Sequence, residues 1–342
     1  MLEHRRREPA PGVFRLVLPL PWPGLDRVNA YLLEGAEGCT LVDAGMFLPD
    51  DEHEGWADVE AAFAACGHAP SDVSRLVITH THIDHYGMVG RFVDATGCEL
   101  WAHPAADRDI QLYQDPEERV RRLRELFTDH GVSAGELDEL TQFEDWRRFV
   151  SSEVLPTQHV DEGDVVPVGD RRWEVIYTPG HSQNHICLWS ATDRLLISGD
   201  HLLPTITPHI DYERHGDKDP LGDFMGSLAK VEKLDPAITL PGHGGPFEEG
   251  SERARIVARH HDRRLGSILQ VVRREGHSAE EITQEIFGAT LLNFQKRLAL
   301  GEALAHIRYL SRRGELERVR DEDGTWRYRK ASRRPVTEID DG

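Results

Sequence analysis

The chain has 342 residues, of which 39% are apolar, enough for one large domain and a small appendage. Its formal net charge of -20 disfavours general affinity for nucleic acid or for anionic membrane surfaces. It contains no apolar run of about 18 residues, as a membrane span would need, and no small-residue cleavage site after the basic N-terminus. The four cysteines have neither disulfide nor metal-site spacing. These features predict a cytoplasmic protein with reduced thiols and no membrane association.

The first hundred residues predict strands that alternate with helices, an order typical of sheets covered by helices. Strands are expected at 28–33, 39–42, 75–79 and 99–102, and helices at 56–66 and 84–96. Residues 104–156 differ, because a charged helix at 116–130 and a second helix capped by Ser133 replace the strands. We interpret this segment as a helical insertion that covers the active-site cleft.

Strand patterns return after the insertion, at 165–177, 186–189, 195–197 and 237–240. Beyond Gly250, three helices and a hairpin are expected, with the helices at 253–275, 278–287 and 302–313 and the hairpin turn at Asp323-Gly324. Three helices followed by a hairpin are the layout of a winged helix. We therefore predict a catalytic domain over 1–250, a winged-helix-like domain over 251–330 and a polar tail over 331–342.

The strongest chemical signal is the run His80-Thr81-His82-Ile83-Asp84-His85, which directly follows a predicted strand. Imidazole nitrogen binds zinc well, and carboxylate oxygen accepts zinc, manganese or iron. Later strands also end in histidine or aspartate beside glycine, where the backbone can approach a metal closely, at His181, Asp200 and His243. Four strand ends with one chemistry predict a single metal centre. Seven ligands for two ions leave coordination positions open for catalysis.

These motifs resemble the metallo-β-lactamase superfamily over about residues 13–250, in particular its glyoxalase II-like and β-lactamase-like-protein-2-like hydrolases. The resemblance implies an α/β fold, the αββα sandwich. It also implies two metal sites joined by a bridging ligand, with His80, His82 and His181 at the first, Asp84, His85 and His243 at the second, and Asp200 as the bridge. Residues 251–330 resemble the small winged-helix domain that follows this fold in such relatives.

Two zinc ions are the expected cofactor, with iron or manganese as alternatives, and they would share a bridging water whose pKa falls towards about 7. The resulting hydroxide would attack a carbonyl carbon, with Asp84 and Asp200 as the catalytic carboxylates. A thiolate leaves readily because the pKa of a thiol is only about 8.5, whereas an amine would need an acid. The sequence places no such acid, so it favours a small-molecule thioester or activated ester of the acyl-CoA or glutathione type.

The same metal ligands are compatible with other reactions. A metal-dependent endoribonuclease or phosphodiesterase would use the C-terminal domain, where 17 basic residues exceed 12 acidic ones over 251–330. A single-iron persulfide dioxygenase, a lactonase, a β-lactamase and a metal-stabilised binding protein are further alternatives. For the C-terminal domain we favour homodimerisation, or a place in the wall of the cleft, over nucleic-acid binding.

Some supporting residues are also indicated by their position in the sequence. His185 follows His181 by four residues, and His201 and His209 follow Asp200, so we predict that these three histidines line the substrate pocket. Asp43 follows another strand, and we expect its carboxylate to orient a ligand histidine from behind.

Overall fold

The computed structural model describes residues 7–22, 24–142, 146–212 and 219–331. Two β-sheets dominate it. The first has six strands in sequence order, β1 Val13–Trp22, β2 Leu25–Leu33, β3 Cys39–Val42, β4 Val73–Val77, β5 Glu99–Ala102 and β6 Gln158–His159. β1 to β3 pair antiparallel, and β3 to β6 pair parallel.

The second sheet has the order β11-β10-β9-β8-β7. Its strands are β7 Val165–Val168, β8 Arg171–Tyr177, β9 Ile186–Ser190, β10 Leu195–Gly199 and β11 Ile238–Pro241. All its pairs are antiparallel except β10 with β11, which is parallel. β11 therefore runs in the same direction as β10, and both end at the same edge of the sheet.

Helices cover the outer faces of both sheets. Those against the first sheet are α1 Trp56–Ala64, α2 Ile83–Tyr86, α3 Val89–Thr96 and α4 Ala106–Tyr113. Those on the side of the second sheet are α5 Pro116–Asp129, α6 Ala134–Thr141, α7 Pro220–Leu234, α8 Gly250–Val271, α9 Ala279–Phe287 and α10 Asn293–Arg312. A hairpin of β12 Leu316–Arg320 and β13 Trp326–Lys330 follows α10. None of the described helices is both long and apolar enough to cross a membrane.

The core has three layers because side chains alternate between the two faces of each strand. Tyr31 and Val77 of the first sheet meet Trp173 and Leu188 of the second in the layer between the sheets. Leu32, the neighbour of Tyr31, points to the outer layer under the helices. This arrangement confirms the αββα sandwich that the sequence predicts.

Several elements differ from their predictions. The helix expected at 84–96 is two helices, α2 and α3, and α10 begins nine residues before the expected 302. α4 and α7 were not predicted, although Asp219-Pro220 is a start signal: the Asp219 side chain caps α7, with proline at its first position.

The C-terminal elements follow in the predicted order, but they share their core with the insertion. Leu126 and Phe127 of α5 belong to the same buried cluster as Leu300 and Leu304 of α10. The winged-helix class and the domain bounds at 250 and 330 stay predictions. The predicted tail lies, beyond residue 331, outside the described residues.

Candidate metal centre

The predicted ligands follow strands that end at one edge of the sandwich. β4 leads to the run from His80 to His85, β8 to His181, β10 to Asp200 and β11 to His243. β8, β10 and β11 share a direction, since two antiparallel steps separate β8 from β10. The structure brings all seven predicted ligands together there.

Three histidines form the first donor group. Nε2 of His80 lies 3.0 Å from Nδ1 of His82. The ring of His181 is 4.5 Å from the ring of His82, measured between centroids. One nitrogen from each residue lies within 4.8 Å of the other two. Three imidazoles at this spacing suit zinc or another divalent transition metal.

The second donor group combines Asp84, His85 and His243. Oδ2 of Asp84 lies 3.1 Å from Nε2 of His243 and 3.7 Å from Nε2 of His85. Asp200 lies between the two groups, with Oδ2 3.3 Å from Nε2 of His243 and 3.8 Å from Nε2 of His181. Its carboxylate is therefore placed to bridge two cations.

In four of the five histidines, Nδ1, the ring nitrogen that faces away from the centre, donates a hydrogen bond to an oxygen. The pairs are His80 with the Thr79 hydroxyl, His85 with the Asp43 carboxylate, His181 with the His209 carbonyl and His243 with the Arg27 carbonyl. Because these oxygens accept, we assign the proton to Nδ1 and the lone pair to Nε2, which faces the centre. Oxygen acceptors of this kind orient metal-binding histidines in proteins.

Buried atoms without a hydrogen bond show where cations would fit. Among the described residues, Nε2 of His85, Nε2 of His181 and Oδ1 of Asp200 are buried and have no hydrogen-bond partner. Leaving one such atom unsatisfied costs about 1–3 kcal/mol. These atoms converge with the other donors, so the residues present fit a pair of divalent metal ions.

The two groups differ in charge. Burial and the neighbouring histidines hold the pKa of His80 well below its ordinary value and lower that of His181 to about 3, so these imidazoles are neutral. Burial also lowers the pKa of His243, but Asp200 and Asp84 outweigh it and raise that pKa to about 10. Without a metal ion, His243 therefore carries a second proton, on Nε2, that balances the carboxylates. A divalent cation can take the place of that proton and leave the Nε2 lone pair free to bind it.

The centre opens on the side of the first donor group. His82 is exposed and His181 is half-buried, whereas the other five side chains are buried. The centre is therefore reached from solvent past His82.

His185 and His201 do not line a pocket, contrary to the prediction, because both are fully buried. Nε2 of His185 accepts a hydrogen bond from the backbone N–H of Asp200 at 3.1 Å, and Nδ1 donates to the Thr178 hydroxyl at 2.8 Å. His185 therefore holds Asp200 from behind. His201 packs edge-on against Phe224, in the core beneath the site. Distance along the chain predicted proximity but not the direction of these side chains.

His209 and Asn184 support the site in ways that the sequence did not indicate. His209 supplies its carbonyl, not its side chain, to His181. Asn184 accepts from the N–H of Thr81 at 3.0 Å and donates to the carboxylate of Asp109, on α4, at 2.5 Å. Asn184 and Thr81 are 103 residues apart, so no local pattern could connect them.

A further cluster of metal-type side chains lies on α8 and α10 and consists of His261, Glu302 and His306. Most of its polar groups are engaged, although Nε2 of His261 is buried and has no hydrogen-bond partner. Nδ1 of His261 lies 3.1 Å from Nε2 of His306, and the other nitrogen of His306 donates to the Glu302 carbonyl. Arg264 pairs with the Glu302 carboxylate. Because Arg264 pairs with the carboxylate and the two imidazoles bond to each other, we assign this cluster to helix packing.

Comparisons with known proteins agree with this geometry. The model of the metallo-beta-lactamase superfamily matches residues 23–243, and that of the metallo-beta-lactamase-like C-terminal domain matches residues 265–331. The probable metallo-hydrolase YqjP of Bacillus subtilis is 29% identical over 308 residues, which cover 86% of this chain and 91% of YqjP. The acyl-coenzyme A thioesterase MBLAC2 of Homo sapiens is 27% identical over 257 residues, which cover 72% of this chain and 82% of MBLAC2.

Solved structures agree as well. A beta-lactamase domain protein from Burkholderia ambifaria superimposes with a TM-score of 0.82 at 31% identity, covering 94% of this chain and 93% of that chain. The family match, the fold and the cluster of histidines and aspartates at the strand ends all lead to one assignment. The chain belongs to the metallo-beta-lactamase superfamily.

Proposed function

We propose that this protein is a hydrolase with a two-metal centre that cleaves thioesters of the acyl-coenzyme A type. The observation that carries the proposal is the convergence of seven side chains that can bind metal ions. Three of their atoms are buried and have no hydrogen-bond partner. Similarity to the acyl-coenzyme A thioesterase MBLAC2 supports the substrate class.

Each side chain has a proposed role. His80, His82 and His181 would hold one metal ion, and Asp200 would bind both ions. Asp84, His85 and His243 would hold the second. We propose zinc, with iron or manganese as alternatives. Metal ions bound there would supply an activated water and an electrophile for the carbonyl oxygen.

The protein itself contributes charge and orientation. Burial raises the pKa of Asp84, but His85 and His243 outweigh it and lower that pKa to about 2. Asp84 is therefore an anion that can accept a hydrogen bond from the attacking water and direct it at the carbonyl carbon. A thiolate leaves without protonation, since thiols have a pKa of about 8.5. This chemistry suits a thioester better than an amide.

A partly exposed apolar surface, formed by Trp146, Phe294 and Leu292, is a candidate site for the acyl part of the substrate. The rings of Trp146 and Phe294 are 6.2 Å apart, and Leu292 is 74% exposed. The chain just after the turn Trp146–Phe149 is bonded to the end of α2, where the N–H of Ser151 donates to the carbonyl of Gly87 at 2.8 Å. α2 carries two proposed ligands. We propose that this surface receives the acyl chain.

The C-terminal arginines do not favour a nuclease as a second candidate function. Three of them lie in ion pairs, Arg320 with Asp129, Arg327 with Glu281 and Arg329 with Glu317. These pairs neutralise charge that a nuclease would use to bind phosphates. We therefore prefer a small-molecule substrate to RNA.

The proposal is tested by elemental analysis together with a panel of thioester, lactone, phosphodiester and β-lactam substrates on one preparation. We expect two zinc ions per chain and thioester turnover that is lost in Asp200→Ala. Asp193→Ala is the control, because Asp193 lies beyond the opposite end of β10 and pairs with Arg171. One iron with oxygen uptake, or turnover of RNA alone, would overturn the proposed reaction.

A further inference from the structure

We infer that helix α10 of the C-terminal segment positions the metal ligand His181, acting through the irregular segment 203–212. The inference rests on the metal centre proposed above. It gives the C-terminal segment a role in the chemistry, as a support for one specific ligand, and it makes Arg297, Gly301 and Asp211 positioning residues.

The link begins at His181. Its Nδ1 donates to the carbonyl of His209 at 2.7 Å, and this bond sets the plane of the ring. Residues 203–212 contain neither helix nor strand, so no ladder of backbone bonds holds that carbonyl in place. Its position depends on the side chains that fasten the segment. The His209 ring also contacts α10, with Nδ1 3.5 Å from the carboxylate of Glu302.

Helix α10 binds the C-terminal end of segment 203–212, the part that follows His209. Nη1 of Arg297 donates to Oδ2 of Asp211 at 2.6 Å, and Arg297 is only 5% exposed. A charge-assisted bond in such a buried place is strong and costly to break. The N–H of Tyr212 donates to the carbonyl of Gly301 at 3.3 Å. The two contacts hold consecutive residues of the segment against one face of α10.

Helix α8 fastens the other end. Arg253 donates to the carbonyl of Leu203 and to the carbonyl of Ile206, each at 2.7 Å. Between the two fastened ends, Ile210 is fully buried in the same core as Leu300. The segment that carries the His181 acceptor is therefore held on both sides by C-terminal helices.

Gly301 allows the close approach of segment and helix. A Cβ at this position would lie 1.9 Å from Oδ1 of Asp211, so in Gly301→Ala the carboxylate that accepts from Arg297 must shift. Alanine is otherwise favourable inside a helix. Gly266 lies in α8 and a Cβ there would meet nothing within 4 Å. Gly266→Ala is therefore a matched control for Gly301→Ala.

The test uses the full-length, zinc-loaded protein and the variants Gly301→Ala, Asp211→Asn and Gly266→Ala. Zinc affinity is measured by competition with a chelator, and the Nδ1–H signal of His181 is followed by NMR, assigned through its loss in His181→Gln. We expect Gly301→Ala and Asp211→Asn to weaken the binding of one zinc ion by about tenfold and to shift the His181 signal. Gly266→Ala should change neither.

An unchanged zinc affinity and His181 signal in Gly301→Ala would overturn the inference. So would a loss of both zinc ions in proportion to a fall in thermal stability, because that result describes general unfolding. Neither readout depends on the substrate. A protein that binds no metal would refute the proposed function itself, whereas two zinc ions insensitive to residues 211 and 301 would refute only the positioning role.

Discussion

Asp43 and His85 are joined by a hydrogen bond of 2.8 Å from the ring nitrogen Nδ1 to the carboxylate oxygen Oδ2. The same carboxylate accepts from the N–H and the hydroxyl of Thr79, at 2.8 and 2.9 Å. Asp43 also has a backbone φ of 63°, in the left-handed region that non-glycine residues rarely adopt. One strained, buried aspartate thus fixes both a proposed ligand, His85, and the residue before His80.

We expect Asp43→Asn to lower the affinity for one of the two metal ions by about 10–100-fold. The amide offers one acceptor where the carboxylate offered two, so His85 loses the partner that keeps its proton on Nδ1. Asparagine tolerates a positive φ, and the backbone can stay in place. Chelator competition measures the change. Asp235→Asn is the control, because Asp235 has a φ of 52° at the exposed end of α7. Equal losses in both variants would show that the effect comes from the backbone.

Gly242, directly after β11, allows the backbone to pass close to the carboxylate of Asp200, the proposed bridge between the two metal ions. A Cβ at Gly242 would lie 2.2 Å from Oδ1 of Asp200 and 2.7 Å from Cε1 of His85. Gly242→Ala should therefore push Asp200 out of position and reduce thioester turnover by at least about 100-fold. The free energy of unfolding should fall by less than the free energy that corresponds to this loss of turnover. Gly245→Ala, three residues on, meets open space and should behave as the wild type. Wild-type turnover in Gly242→Ala would place the reacting centre elsewhere.

His185 should matter for stability as well as for metal binding. Replacing it by leucine removes the acceptor for the buried N–H of Asp200, and an unpaired buried donor costs about 1–3 kcal/mol. We expect a loss of that size in the free energy of unfolding, measured by urea denaturation, and weaker zinc binding. His53→Leu, at an exposed site, should change neither. A wild-type zinc affinity in His185→Leu would limit His185 to a packing role.

The sequence predicts that the proposed ligands lie together, because they are concentrated at strand ends. The run from His80 to His85 carries four of the seven, and glycine marks the turns before His181, Asp200 and His243. The layered fold followed from the alternation of strands and helices for a similar reason: both signals are local.

The supports of these ligands could not be predicted in the same way. Two of the acceptors are backbone carbonyls, of Arg27 and His209, and a carbonyl has no signature in the sequence. Arg27 and His243 are 216 residues apart. The nearness of His185 to His181 in the chain predicts a place in the substrate pocket, yet the side chain of His185 turns inward to the Asp200 backbone. The direction of a side chain comes from tertiary packing, which local patterns do not contain.

The buried pair His261 and His306 should make the folded state sensitive to mild acid. Burial and the neighbouring imidazole lower the pKa of His261 to about 3, and burial lowers that of His306 to about 4. In the unfolded chain both should titrate near the ordinary value of about 6.5. Between those values the unfolded state binds more protons, so stability is present above pH 6.5 and is lost as the pH falls.

We expect the double variant His261→Leu/His306→Leu to lose less stability than the wild type between pH 7 and pH 5.5, by about 2 kcal/mol. Removing both histidines leaves neither without its imidazole partner. The Glu302 carbonyl that accepts from His306 keeps a hydrogen bond, because it also accepts the helical N–H of residue 306. The measurement is urea unfolding at the two pH values. Acid release of metal affects both proteins, so the difference between their pH slopes isolates the pair. Equal slopes would mean that these imidazoles take up protons in the folded state, and that the space between α8 and α10 admits water.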